Sequence, residues 1–79
     1  MLSDYIAAAM GAARYDKTDD GSFYGEIPGF DGVWGTAETL DACRRDLQEA
    51  LEDWIVLGIR LGHTLPSAGG IDLNATNAA

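Results

Sequence analysis

Tyr5, Ile6, Ala9 and Met10 recur at i, i+1, i+4 and i+5 near the start of the chain. This is one face of a helix, predicted over about Asp4 to Ala13. Ser3 is placed to cap it, and Asp4 falls in the first turn, where a negative charge suits the helix dipole. The alanines keep the face small, so another element can lie close to it. From residue 14 the period changes. Arg14-Tyr15-Asp16-Lys17-Thr18 alternates, Asp19-Asp20-Gly21-Ser22 offers turn chemistry, and Phe23-Tyr24-Gly25-Glu26-Ile27 continues as a second β-prone run. An Asp-Gly pair between two such runs predicts a hairpin. Pro28-Gly29 closes the second strand, and Asp31-Gly32 makes a further turn. A third strand is predicted over about Val33 to Thr36.

The strongest pattern follows. Thr39 suits an N-cap, and Leu40, Cys43, Leu47, Ala50, Leu51, Trp54, Leu57, Gly58 and Leu61 mark a helical stripe to about Gly62. Asp41, Arg45 and Glu49 form an i, i+4 row on the polar face. Past Asp53 the helix turns apolar on nearly every side, through Trp54, Ile55, Val56, Leu57, Ile59 and Leu61. A helix of that kind needs cover all round, and a chain of 79 residues has little to spare for it. Two covers are open: a second copy of the chain, or the segment His63 to Leu73 folding back. The first is the expectation, with Trp54, Ile55 and Ile59 at the interface of a homodimer or higher homo-oligomer.

The expected fold class is therefore α+β. An N-terminal helix precedes a three-stranded antiparallel sheet, and one long amphipathic helix packs on that sheet, with room for a short fourth strand after it. One domain is expected over residues 1–73, followed by a disordered polar tail at 74–79.

Charge narrows the partners. Five Lys and Arg stand against thirteen Asp and Glu, a net charge of −8, spread over the strands and the long helix rather than gathered in a tail. Phosphate binding draws on Lys and Arg, so direct nucleic-acid binding is not expected. A basic protein partner would be drawn in by the same field. No apolar stretch spans a bilayer; the longest, Trp54 to Leu65, is short and contains Arg60. A single cysteine makes no internal disulfide, and no signal peptide opens the chain, so a cytoplasmic setting is expected. The sequon Asn74-Ala75-Thr76 carries no weight without a signal.

Catalytic chemistry is sparse, and neither a catalytic residue nor a cofactor or metal is expected. His63 is the only histidine and reads as a helix-end residue. Cys43 lies on the apolar stripe and reads as core. Asp16, Asp19, Asp20, Glu26 and Asp31 would have to converge to hold Mg²⁺, whereas turn and solvent-facing roles account for them. Gly29, Gly32 and Gly35 lack the dinucleotide spacing, and no phosphate-binding Gly-Lys-Ser/Thr follows.

In order and spacing, four motifs carry a resemblance: Gly21-Ser22-Phe23-Tyr24, Pro28 with Gly32, Thr39-Leu40, and Glu49-Ala50-Leu51 with Trp54. From Gly21 to Pro66 the chain resembles the HicB-type antitoxin family, whose HicB-like members include uncharacterised proteins. It departs from that pattern at Ala37-Glu38 before the cap and Ala42-Cys43 after it, and in the helix that precedes the first strand. The resemblance implies a β-β-β-α core like a partial ribonuclease H fold without its active site. It also implies dimers and a small basic ribonuclease toxin of the HicA type as partner. No operator-binding module is read after the core, so autorepression by this chain alone is not expected. The resemblance leaves a second role open, an orphan HicB-like domain that regulates or binds a small molecule without a toxin.

Overall fold

The computed structural model describes residues 2–71. Five elements follow one another: α1 (Leu2–Gly11), β1 (Arg14–Lys17), β2 (Phe23–Glu26), β3 (Trp34–Ala37) and α2 (Leu40–Leu61). The strands form one antiparallel sheet in the order β1-β2-β3. α2 packs on β2 and β3, and α1 lies alongside α2. This is the α+β arrangement the periodicity predicts. α1 begins and ends two residues earlier than expected, so Ser3 sits in its first turn instead of capping it.

The turns set the register. Between β1 and β2, the Thr18 N–H donates to the Ser22 carbonyl at 2.8 Å and the Gly21 N–H to the Thr18 carbonyl at 3.0 Å. Gly21 takes φ +88°, the left-handed residue that a three-residue hairpin loop requires. Asp20 fastens the loop from within: its Oδ1 accepts from the Thr18 hydroxyl and from the Ser22 N–H. Between β2 and β3 two turns run in succession. The Phe30 N–H closes on the Ile27 carbonyl and the Val33 N–H on the Phe30 carbonyl, with Gly29 and Gly32 at positive φ in the third position of each. Three residues per turn bring Ile27, Phe30 and Val33 to the corners, where all three are buried.

Packing of α2 on the sheet depends on two facing glycines. Gly25 and Gly35 are paired across β2 and β3, and both are buried. A Cβ on Gly35 would stand 2.6 Å from the Leu47 amide nitrogen, so α2 rides on the bare strand backbone. The Tyr15 ring, from β1, covers Gly25 in the same way. Leu47, Leu51 and Ile55 of α2 then meet Tyr5 and Ala9 of α1 in one core.

After α2 the chain doubles back, but not as a strand of the sheet. Ala68 and Ile71 exchange two backbone hydrogen bonds as an isolated bridge, closed by Gly69 and Gly70 at positive φ. The fourth strand expected here is, among the described residues, a tight Gly-Gly turn. The expected tail at 74–79 lies outside the described residues.

Candidate functional site

Among the described residues, the C-terminal half of α2 gathers four of the exposed large apolar side chains, Val56, Leu57, Ile59 and Leu61. Thr39 caps the helix, its Oγ1 accepting from the Ala42 N–H at 3.1 Å. Gly62 stops it in the left-handed region, at φ +73°. The His63 N–H reaches the Gly58 carbonyl at 2.8 Å and the Gly62 N–H the Ile59 carbonyl at 3.2 Å, a closure that satisfies the last-turn carbonyls. His63 itself is exposed, so its place at the helix end is the one read from sequence.

Two sources of cover reach this half of the helix. From one side Phe30 lies between Tyr5 and Trp54, with ring centroids 6.1 and 5.3 Å away. From the other, the returning segment seats Leu65 in the notch at Gly58, where a Cβ would meet Leu65 Cδ2 at 2.8 Å. The Tyr5 hydroxyl donates to the Pro66 carbonyl, and Gly69 rests on Ala8. This cover is complete only for the inward residues. Val56, Leu57, Ile59 and Leu61 stay 54–59% exposed. They occupy the last two turns, on both sides of the inward line through Ile55 and Gly58, with Arg60 the one charge among them.

The three residues expected at an interface therefore separate. Ile55 is 1% exposed and is taken up by the chain's own core, so it is not available to a partner. Trp54 is half-buried against that core. Ile59 and Val56 face outward, and so do Leu57 and Leu61, which the helical stripe read from sequence set on the inner face; the line that turns inward there runs through Ile55 and Gly58.

Elsewhere the candidate chemistry stays dispersed. Asp16 lies on β1 and Asp31 in the second β2–β3 turn. Among the described residues no three His, Cys, Asp or Glu side chains gather as a metal would need. Cys43 is buried, and its Sγ donates to the Gly35 carbonyl at 3.5 Å. Burial first, and the nearby Asp46 carboxylate second, push the thiol above its ordinary value and away from nucleophilic use. α1 and α2 enclose an open cleft of about 400 Å³ that Arg44, Gln48 and Glu52 share with Ile6 and Met10.

Two arrangements were not visible in the sequence. On the outer face of the sheet Tyr24 and Trp34 stack with centroids 6.2 Å apart, and the Tyr24 hydroxyl donates to Glu26. Asp46 of α2 reaches across to β3, its Oδ2 accepting from the Thr36 N–H at 3.0 Å. No helix among the described residues is long and apolar enough to cross a membrane.

Residues 4–66 match a protein-family model described as UPF0150-like. The chain belongs to the UPF0150-like family. The match starts inside α1 and runs to Pro66, so the UPF0150-like region takes in the first helix, the sheet, α2 and the start of the returning segment. The same architecture is seen in the crystal structure of TTHA0281 from Thermus thermophilus. That protein is 41% identical, with a TM-score of 0.85 over 91% of this chain and 90% of that one. No curated protein matches the chain significantly.

Proposed function

We propose that this UPF0150-like chain is a non-catalytic, cytoplasmic interaction protein of the HicB type, an antitoxin that binds and neutralises a small basic ribonuclease toxin. The observation that carries the reading is the exposed apolar end of α2. Val56, Leu57, Ile59 and Leu61 are each more than half exposed in a chain of net charge −8. Clustered apolar side chains at one end of a soluble fold mark a protein-binding surface. In this reading a second copy covers that end of the helix, so the working form is a dimer or a higher oligomer. The acidic field then steers a basic partner to the assembled protein and excludes nucleic acid.

The experiment is co-expression. The reading requires a short basic reading frame beside this gene, and that frame is induced in cells with and without the chain; its absence contradicts the reading. Growth arrest that the chain relieves supports the antitoxin reading; arrest that the chain leaves unchanged contradicts it.

A second reading, an orphan HicB-like domain with a regulatory ligand, is favoured by the α1–α2 cleft, which Arg44 lines together with the apolar Ile6 and Met10. It predicts no toxic neighbour, and loss of small-molecule binding in Arg44→Ala.

A further inference from the structure

The two edges of the sheet are finished differently. An edge strand presents unpaired N–H and C=O groups, a template on which another strand can assemble. At β3 the outward N–H of Thr36 is already taken by the Asp46 carboxylate, so a side chain of α2 occupies one of that edge's donors. At β1 the directions follow from the turn. Thr18 and Ser22 form a hydrogen-bonded pair, and in an antiparallel ladder such pairs recur at every second residue. With the observed register, Asp16–Tyr24 and Arg14–Glu26 are the next bonded pairs. The N–H and C=O groups of Tyr15 and Lys17 therefore point away from β2. Among the described residues no backbone or side-chain group meets them.

We infer that β1 is the seat of a second copy of this chain, paired antiparallel to its own β1 about a two-fold axis at Tyr15. Only residues with outward backbone groups can form the bonded pairs of the new ladder, which leaves three registers. Setting Lys17 against Lys17 of the second copy opposes two exposed like charges. Setting Tyr15 against Lys17 of the second copy places Asp16 opposite Asp16, two like charges at the closest approach of the strands. Setting Tyr15 against Tyr15 places Arg14 opposite Asp16 twice over. Arg14 and Asp16 both lie on the outer face and are exposed, and opposed charges in such pairs stabilise a sheet while like charges weaken it. The charges of β1 thus select the register with Tyr15 against Tyr15. The product is a continuous six-stranded sheet whose outer face carries one Tyr24–Trp34 stack from each copy. This contact uses neither the apolar end of α2 nor any toxin, so it stands or falls apart from the reading above.

Register-specific cross-linking tests it. Arg14→Cys and Asp16→Cys chains are oxidised separately and as an equal mixture, and covalent dimer is followed on a non-reducing gel. Covalent dimer is expected in the mixture and not in either chain alone. Adding Lys17→Pro to both is expected to abolish it with the circular dichroism unchanged, because the Lys17 N–H is not used within the chain. Cross-linking of Asp16→Cys alone at the level of the mixture would overturn the register. Absence of dimer in the mixture, or dimer undiminished by Lys17→Pro, would overturn the pairing itself.

Discussion

Gly35 and Leu47 approach so closely that a single methyl group on the glycine would lie 2.6 Å from the Leu47 amide nitrogen and 2.9 Å from its Cα. The obstacle is helix backbone, which cannot swing aside as a side-chain end can. Gly35→Ala must lift α2 off β3 or bend the strand, and overpacking of this kind costs about 1–3 kcal/mol. Chemical denaturation should show that loss, and Gly11→Ala, where nothing stands within 4 Å of the added carbon, should lack it.

Tyr15 offers the opposite case. Its ring is needed, because it covers Gly25, but among the described residues its buried hydroxyl has no hydrogen-bond partner. Burial also pushes its ionisation above the ordinary tyrosine value of 10.0, partly offset by Arg44. Removing a buried, unpaired hydroxyl relieves a desolvation cost of about 1 kcal/mol or more. Tyr15→Phe should accordingly unfold at an equal or higher denaturant midpoint. A clear drop would mean that the hydroxyl is engaged.

Acid should loosen the β1–β2 hairpin. The Thr18 hydroxyl first, and the Ser22 N–H second, hold the Asp20 carboxyl below its ordinary value of 3.8. A depressed carboxylate contributes stability above its unfolded pKa and loses it as pH falls through the folded one. The wild-type chain should therefore exceed Asp20→Ala in stability at neutral pH, with the gap closing below about pH 4. Denaturation at neutral and acid pH for both proteins measures it. A gap that does not change with pH would contradict the carboxylate's role.

Ile55 and Ile59 differ by one helical turn and should respond differently to charge. Ile55→Asp buries an unpaired carboxylate in the chain's own core and should unfold it, at a cost of several kcal/mol. Ile59→Asp places the charge on exposed surface, so helical circular dichroism should persist while the mass seen by light scattering at micromolar concentration falls. A wild-type chain already at 8.4 kDa would remove the α2 interface.

Much of this architecture can be read from local chemistry. Thr39 and Gly62 cap α2 where the sequence places them, because both signals act within a few residues. The same holds for Asp20-Gly21, Pro28-Gly29 and Asp31-Gly32, whose turns close on neighbouring backbone. Orientation at the end of α2 was not legible. Where Trp54 through Leu61 are apolar on nearly every side, the stripe continued through Leu57 and Leu61, which are exposed, and passed over Ile55, which is buried; that choice is made by Phe30 and Leu65 from elsewhere in the chain. Nor could sequence show that Asp46, ten residues beyond Thr36, would take up that residue's outward N–H. That contact depends on how the helix is seated on Gly35, which is a tertiary fact.

The antitoxin reading is tested most directly by titration. The reading requires a small basic ribonuclease encoded beside this gene; that protein is purified, its cleavage of a labelled RNA is measured, and the chain is added in steps. Cleavage is expected to fall in proportion to added chain and to stop at a fixed stoichiometry, with the end point shifted by Ile59→Asp. Cleavage that continues unchanged in excess chain would contradict the antitoxin reading.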